Sequence, residues 1–178
     1  MSFPPDCSII RLSAGNVIKP FDCGDVDLND FLHKDSINST NELLTVTYLL
    51  ENSNETLAFF SLLNDKIRQE DVENMTVWNK WRKKIFTNEK RFLNYPAMKI
   101  GRLGVSSQYQ NQKIGKAILD YLKILFITNN RTGCRFITVD AYSRSVKFYL
   151  QNGFLFLTSK DENSDTRLMY FDLKAIIN

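Results

Sequence analysis

Two neighbouring apolar segments restrict the fold of this chain more than any other pattern. Residues 43–50 and 57–63 are rich in branched and aromatic side chains, and the polar residues 51–55 separate them. Two such runs on either side of a polar turn predict a β-hairpin. One helix is predicted before this hairpin and others after it, so the chain is not a simple alternation of strands and helices. The expected fold class is therefore mixed α/β, with α+β character.

Length and composition favour one globular domain over residues 1–178. Hydrophobic residues make up 43% of the chain and charged residues 24%, which excludes collagen, low-complexity repeats and extended disorder. The cysteines Cys7, Cys23 and Cys134 have neither disulfide-framework nor metal-ligand spacing. No signal-peptide pattern and no membrane-length apolar stretch is visible. We expect a cytoplasmic protein with no metal site and no membrane partner.

Further strands and helices are predicted on both sides of the hairpin. Asp25 or Asp27 can cap a first helix, and Ser143 or Ser145 can cap a short helix that ends at Gly153. Apolar runs predict four more strands, the last two of them as a hairpin, at residues 7–12, 136–139, 154–157 and 168–173.

A polar stretch with embedded aromatic residues interrupts this pattern. We interpret residues 64–94 as a helical insertion whose Trp78, Trp81 and Phe86 pack onto the domain. The net charge is only +3, but Lys and Arg are concentrated in residues 80–102. This segregation predicts an anionic ligand on one side, or solvated faces that happen to differ. Basic residues interleaved with aromatic ones can also bind nucleic acid.

A strand, a turn and an amphipathic helix follow one another between residues 98 and 129. The strand, residues 98–105, contains Gly101 and Gly104, and glycine inside a strand marks a bulge or a close backbone approach. The helix is predicted over residues 113–129. The start of such a helix offers unpaired N–H groups and a positive dipole end, which bind phosphate. Its first turn carries a glycine and two lysines that suit an anion, Gly115, Lys113 and Lys116.

Two motifs resemble those of the GNAT acetyltransferase superfamily. Residues 110–115 are similar to its motif A, Q/R-x-x-G-x-G/A, with Lys113 in place of the first glycine. A reading shifted by two residues, 112–117, matches every letter, but the flanking residues favour the first register. Residues 145–154 are similar to motif B, A-x-x-F-Y-x-x-x-G-F, with Ser145 in place of alanine.

The resemblance implies the GNAT fold and acetyl-CoA as co-substrate. This fold is a mixed sheet of about six to seven strands, flanked by helices, whose fourth and fifth strands splay apart around the coenzyme. The pantetheine arm would pair like an added strand with the backbone of Leu103, Gly104 and Val105, with Ser145 and Phe148 on its far side. The pyrophosphate would lie on the turn and the first helical residues, which are Gln110, Asn111, Gln112, Lys113, Ile114, Gly115 and Lys116.

The implied reaction is acyl transfer from a thioester to an amine. Tyr149 resembles the general acid of the family, because the ordinary pKa of a phenol, about 10, suits proton donation to a departing thiolate. The N–H group of Leu103 would stabilise the oxyanion. Some relatives carry a glutamate base on the strand before motif A, where this chain has Lys99. Asp140, His33 and a water chain remain candidates for proton removal.

Three functions are open at this point. The first is acetylation of a small-molecule or peptide amine. The second is that of toxin-type acetyltransferases, which act on aminoacyl-tRNA. Residues 102–105 and 139–141, with Phe148 and Tyr149, resemble that branch, and residues 80–102 can contact phosphates. The third is a non-catalytic acyl-CoA-binding module. Members of the family are often dimers, so the resemblance also allows a homodimer.

Overall fold

A computed structural model describes residues 3–86, 92–128 and 132–177. The α-helices in these ranges are α1 (Val26–Asp30), α2 (Ser36–Asn41), α3 (Met75–Ile85), α4 (Ile114–Thr128) and α5 (Ser143–Gln151), and a π-helical segment, Phe31–Asp35, joins α1 to α2. The strands are β1 (Ser8–Arg11), β2 (Val46–Glu51), β3 (Thr56–Arg68), β4 (Asn94–Val105), β5 (Phe136–Tyr142), β6 (Leu155–Phe156) and β7 (Thr166–Asp172). Their order in the mixed sheet is β1-β2-β3-β4-β5-β7-β6, which confirms the predicted fold class. No helix in the described part of the chain has the length and apolar character that crossing a membrane requires.

The chain forms two compact units, and the first comprises residues 1–63 and 100–128. In it, β1, β2 and β3 pair antiparallel, so the predicted hairpin is confirmed. Its core includes Leu32, Leu49 and Phe59, all fully buried. The strand β2 begins later than predicted, because Leu43 has a left-handed backbone (φ +57°) and is 90% exposed. The expectation of a single acetyltransferase domain over residues 1–178 stays a prediction.

The second unit comprises residues 64–99 and 129–178. In it, β4 runs parallel to β5 over three residue pairs, and the last of them is Lys99 with Thr138. The strand β5 pairs antiparallel with β7 along its whole length, and β6 pairs with β7 at the edge. Among the described pairs, residues 139–142 of β5 have only β7 as a neighbour.

The segment at residues 64–94 is less helical than predicted. Residues 64–68 continue β3, α3 covers only Met75–Ile85, and β4 already begins at Asn94; residues 87–91 lie outside the described ranges. Burial alternates along this end of β3, so its polar residues are the outward side of an extended strand. The polar side chains of residues 64–68 therefore concealed the alternation of buried and exposed positions that is typical of a strand.

The aromatic side chains of this segment pack as predicted. Trp78 is 2% exposed, and its ring lies 5.1 Å from that of Trp81 and 5.6 Å from that of Tyr95. Phe136 of β5 and Tyr170 of β7 belong to the same core cluster. The helix α3 is therefore part of the hydrophobic core of the second unit.

Two of the predicted helix caps need correction. Asp25 accepts a hydrogen bond from a first-turn N–H group at 3.1 Å and is the N-cap of α1, whereas Asp27 lies inside the helix. The helix α5 follows Tyr142, whose side chain makes no capping bond. Ser143 and Ser145 are therefore helical residues and neither of them is a cap.

Candidate functional site

Hydrogen bonds to distant residues of the first unit hold the turn that joins β4 to α4. The N–H group of Ser107 donates to the carbonyl of Asp22 at 2.9 Å, and the phenol of Tyr109 donates to Oε1 of Glu55 at 2.7 Å. The bond to this carboxylate raises the pKa of Tyr109, so the phenol stays protonated and keeps donating. The turn therefore has a defined conformation although its residues are polar.

Two glutamines of the predicted pyrophosphate loop stabilise the same turn by hydrogen bonds. Nε2 of Gln110 donates to the carbonyl oxygens of Cys23 and Val105, at 3.0 and 3.1 Å. Nε2 of Gln112 donates to the carbonyl oxygen of Gln108 at 2.9 Å. These side chains are engaged with the backbone of the turn, so their contribution to ligand binding would be to position main-chain N–H groups.

Two residues at the entrance to α4 have left-handed backbone conformations. The φ angle is +64° at Asn111 and +63° at Lys113. Glycine adopts this region freely, whereas other residues do so at a cost in free energy, which is smallest for asparagine. In the register 110–115, Lys113 occupies the position of the first motif glycine. The backbone therefore supplies a physical reason for glycine at this position and favours this register over 112–117.

The first turn of α4 brings N–H groups and positive charge together. The helix begins at Ile114, one residue later than predicted, and the N–H groups of Ile114, Gly115 and Lys116 precede the first intrahelical bond, which the carbonyl of Lys113 accepts at 3.0 Å. Lys113 and Lys116 are exposed. Nζ of Lys116 lies 2.5 Å from Oδ2 of Asp120, which offsets part of its charge. This is an arrangement suited to an anionic phosphate.

The left-handed lysine makes a testable difference to stability. We expect Lys113→Gly to raise the free energy of unfolding by about 0.5–1 kcal/mol, because relief of the φ strain exceeds the entropy that glycine gains in the unfolded chain. The matched variant Lys116→Gly lies inside the helix and should lower it by about 1 kcal/mol. Urea denaturation measures both values. Equal destabilisation by the two variants would contradict the strain at Lys113.

Core side chains lie close to both glycines of β4. A Cβ atom at Gly104 would lie 2.7 Å from Cε1 of Phe59 and 3.2 Å from Cζ of Phe21, and one at Gly101 would lie 2.8 Å from Cδ2 of Leu63. The close approach is thus made by core side chains of the same unit. Tight packing against Phe59, a fully buried ring, is sufficient to require glycine at position 104.

The residues of motif B lie on one face of α5 in the second unit. Ser145, Phe148 and Tyr149 are three and four residues apart and so share a side of the helix. Tyr149 is 5% exposed, and its ring lies 5.1 Å from that of Phe148 and 5.2 Å from that of Phe154. Burial raises the pKa of this phenol, so the ordinary value assumed from the sequence is too low. The group is fully protonated at neutral pH, as a proton donor must be.

The candidates for a general base are already engaged. Nζ of Lys99 lies 2.5 Å from Oδ2 of Asp140, in an ion pair on the adjacent strands β4 and β5. His33 is exposed, and its Nε2 atom lies 3.2 Å from the carbonyl oxygen of Phe21. The carboxylate of Asp140 therefore has a cation as its neighbour.

The predicted site residues fall into two groups, one in each unit. Leu103, Gly104, Val105 and residues 110–116 lie together at the end of β4 and the start of α4. Ser145, Phe148 and Tyr149 lie together on α5. Sequence reasoning missed Glu55 and Cys23, which hold the turn from 54 and 87 residues away. Their residue types carry no signal of this role, because only the folded chain brings them to the turn.

Comparison with known protein families identifies the domain type. A model of the acetyltransferase (GNAT) domain family matches residues 51–174. A search of curated protein sequences returned no match. The matched region includes both predicted motifs and the aromatic cluster around Trp78.

The matches to solved structures with the same fold cover nearly the whole chain. A mutant of KacT is 23% identical, with a TM-score of 0.77, and the match covers 97% of this chain and 98% of that one. AtaTR bound with acetyl-CoA is 20% identical, with a TM-score of 0.75 and coverage of 97% and 96%. AtaT complexed with acetyl-methionyl-tRNAfMet is 20% identical, with a TM-score of 0.74 and coverage of 97% and 98%.

Proposed function

Because the chain belongs to the GNAT acetyltransferase family, we propose that it moves the acetyl group of acetyl-CoA directly to a primary amine, with Tyr149 as general acid. The family match supports N-acetyltransferase activity and the use of acetyl-CoA. The observation that carries the finer proposal is the entrance to α4, where the N–H groups of Ile114, Gly115 and Lys116 meet two exposed lysines. A pyrophosphate there would fix the coenzyme.

In the first unit, the backbone of Leu103, Gly104 and Val105 would pair with the pantetheine arm of the coenzyme. In the second unit, Ser145 and Phe148 are the residues that would contact this arm. The turn at residues 110–113 would hold the N–H groups of Ile114, Gly115 and Lys116 in the binding conformation before the diphosphate arrives. Such preorganisation lowers the entropy cost of binding.

The chemistry needs one new bond and one proton donor. The nitrogen lone pair of the neutral amine attacks the thioester carbonyl carbon, and the N–H group of Leu103 stabilises the oxyanion. When this intermediate collapses, the carbon–sulfur bond breaks and the sulfur takes the phenolic proton of Tyr149. The amine nitrogen loses its extra proton to solvent, and the phenolate of Tyr149 takes up a proton from solvent, which restores the phenol. Two solved neighbours, KacT and AtaT, carry tyrosine-to-phenylalanine mutations, which is compatible with a functional tyrosine in this fold.

Aminoacyl-tRNA is the second candidate acceptor. Asp140, the carboxylate candidate for proton removal, is paired with Lys99. An esterified α-amine is weakly basic, so it needs less help from a base than an alkylamine. The exposed lysines of α3, Lys80, Lys83 and Lys84, supply positive charge for phosphates. AtaT, with a similar fold, has been solved with acetyl-methionyl-tRNAfMet.

A thiol-release assay with acetyl-CoA tests this function. The acceptors are a panel of amines, peptides and charged tRNAs, and each acetylated product is identified by mass spectrometry. Coenzyme A release that depends on an acceptor supports the proposal, and release with charged tRNA together with growth arrest on expression selects the second candidate. Binding of acetyl-CoA without release on any acceptor would contradict transferase activity.

A further inference from the structure

The ion pair of Lys99 and Asp140 lies in the wall of a cavity in the second unit. Its volume is about 360 Å³, within the range of pockets that hold small ligands. Half of its lining comes from the end of β3 and the turn after it, and the remainder comes from β4, β5 and the strands of the last hairpin. Its polar and apolar walls include Asp65, Lys99, Thr138, Asp140, Leu157 and Leu168.

Each carboxylate in this cavity already has a partner. Asp140 pairs with Lys99 at 2.5 Å, and Asp65 accepts a hydrogen bond from the hydroxyl of Thr138 at 2.5 Å. The third carboxylate, Asp71, accepts two bonds from one guanidinium, that of Arg68, at 2.9 and 3.1 Å. The three acidic residues are matched by three basic ones, so the formal charge of the lining is zero.

The walls of this cavity are fixed by the segment at residues 64–86. Glu73 accepts hydrogen bonds from the N–H and hydroxyl groups of Ser159, and these bonds lower the pKa of Glu73 to about 2. Nζ of Lys160 donates to the carbonyl of Glu70 at 2.9 Å. The loop before β7 is thus tied to the segment that supplies half of the lining. Residues 64–86 therefore help to form the cavity, a role that the sequence did not indicate.

We propose that this cavity binds the part of the acceptor that adjoins its reacting amine, and that the ion pair of Lys99 and Asp140 selects amines that are uncharged at neutral pH. The inference rests on the proposed function, since it names the acceptor subsite of the same reaction. An alkylammonium would be repelled by the cation of Lys99 and would find the carboxylate of Asp140 already paired. A neutral amine can donate to Asp140 or accept from Lys99. Leu157 and Leu168 supply apolar surface for an adjoining side chain.

The two amine classes differ in the fraction that is uncharged at neutral pH. An α-amine has a pKa near 7.8 and an alkylamine near 10.4, so the neutral fraction at pH 7 differs by about 340-fold. The ion pair is partly exposed, 25% at Lys99 and 47% at Asp140, and pairs of this kind add little to folding stability. Replacing either partner should therefore leave the fold intact.

A matched pair of acceptors tests the proposal. Leucinamide and isoamylamine share a side chain and differ by the carboxamide that lowers amine basicity. We expect Lys99→Met to lower the KM and Kd of isoamylamine relative to leucinamide by about tenfold, because Asp140 then becomes available to the ammonium. Asp140→Asn should shift the ratio in the opposite direction. The exposed residue Lys174 provides the control, Lys174→Met, which should leave the ratio unchanged.

Two measurements distinguish a failure of the subsite proposal from a failure of the catalytic proposal. Acetyl transfer is followed by thiol release, and amine binding to the coenzyme-saturated protein is followed by calorimetry. Opposite shifts in the two variants support the cavity as the selective subsite, even if no acetyl transfer occurs and the catalytic proposal fails. Transfer with ratios that neither variant changes by more than twofold would overturn the subsite and leave the catalytic proposal standing.

Discussion

Tyr149→Phe should lower kcat by about 10²- to 10⁴-fold, the range that general acid catalysis contributes, and leave acetyl-CoA affinity nearly unchanged. The substitution removes only the hydroxyl group, while the ring keeps its contacts with Phe148 and Phe154 in a buried position. Steady-state kinetics with thiol detection measures kcat, and calorimetry measures the affinity for acetyl-CoA.

The control for this variant is Tyr142→Phe. Tyr142 lies at the end of β5, and it is 46% exposed, so loss of its hydroxyl should leave kcat within about twofold. Burial raises the pKa of Tyr149, so the phenol should hold its proton throughout the neutral range and impose no loss of rate there. An unchanged kcat in Tyr149→Phe would remove this residue from the mechanism.

Trp78→Ala should lower the free energy of unfolding by about 3–5 kcal/mol, the cost of deleting a large buried aromatic side chain. Trp78 is 2% exposed and packs against Trp81 and Tyr95, and the surrounding rings cannot close the resulting cavity without losing their own contacts. Urea denaturation followed by circular dichroism gives the value.

Met75→Ala, on the same helix, is the matched control for Trp78→Ala. Met75 is 50% exposed, so its truncation should change stability by no more than about 0.5 kcal/mol. A loss of less than about 1 kcal/mol in Trp78→Ala would mean that α3 is a peripheral attachment and not part of the core of the second unit.

Local patterns were enough to predict the elements near the candidate site. The apolar face of α4, the hairpin of β2 and β3 as far as residue 63 and the stop at Gly153, where φ is +82°, are set by neighbouring residues in sequence. The two motifs likewise placed the predicted coenzyme residues at one strand end, one helix start and one further helix.

Long-range packing accounts for what the sequence did not indicate. The requirement for Gly104 depends on Phe59, 45 positions earlier in the sequence, whose ring leaves no room for a Cβ atom. The pairing of Lys99 with Asp140 depends on the parallel register of β4 and β5. The end of β3 was assigned to an insertion because its outward side chains are polar, and only the buried alternation identifies it as a strand.

The diphosphate site that we propose at the start of α4 can be located by amide NMR during a titration with coenzyme A. We predict that the largest shifts occur at the N–H groups of Ile114, Gly115 and Lys116, and that pantetheine, which lacks the diphosphate, does not produce them. Shifts confined to other residues, or equal shifts at these three N–H groups with pantetheine, would contradict the claim.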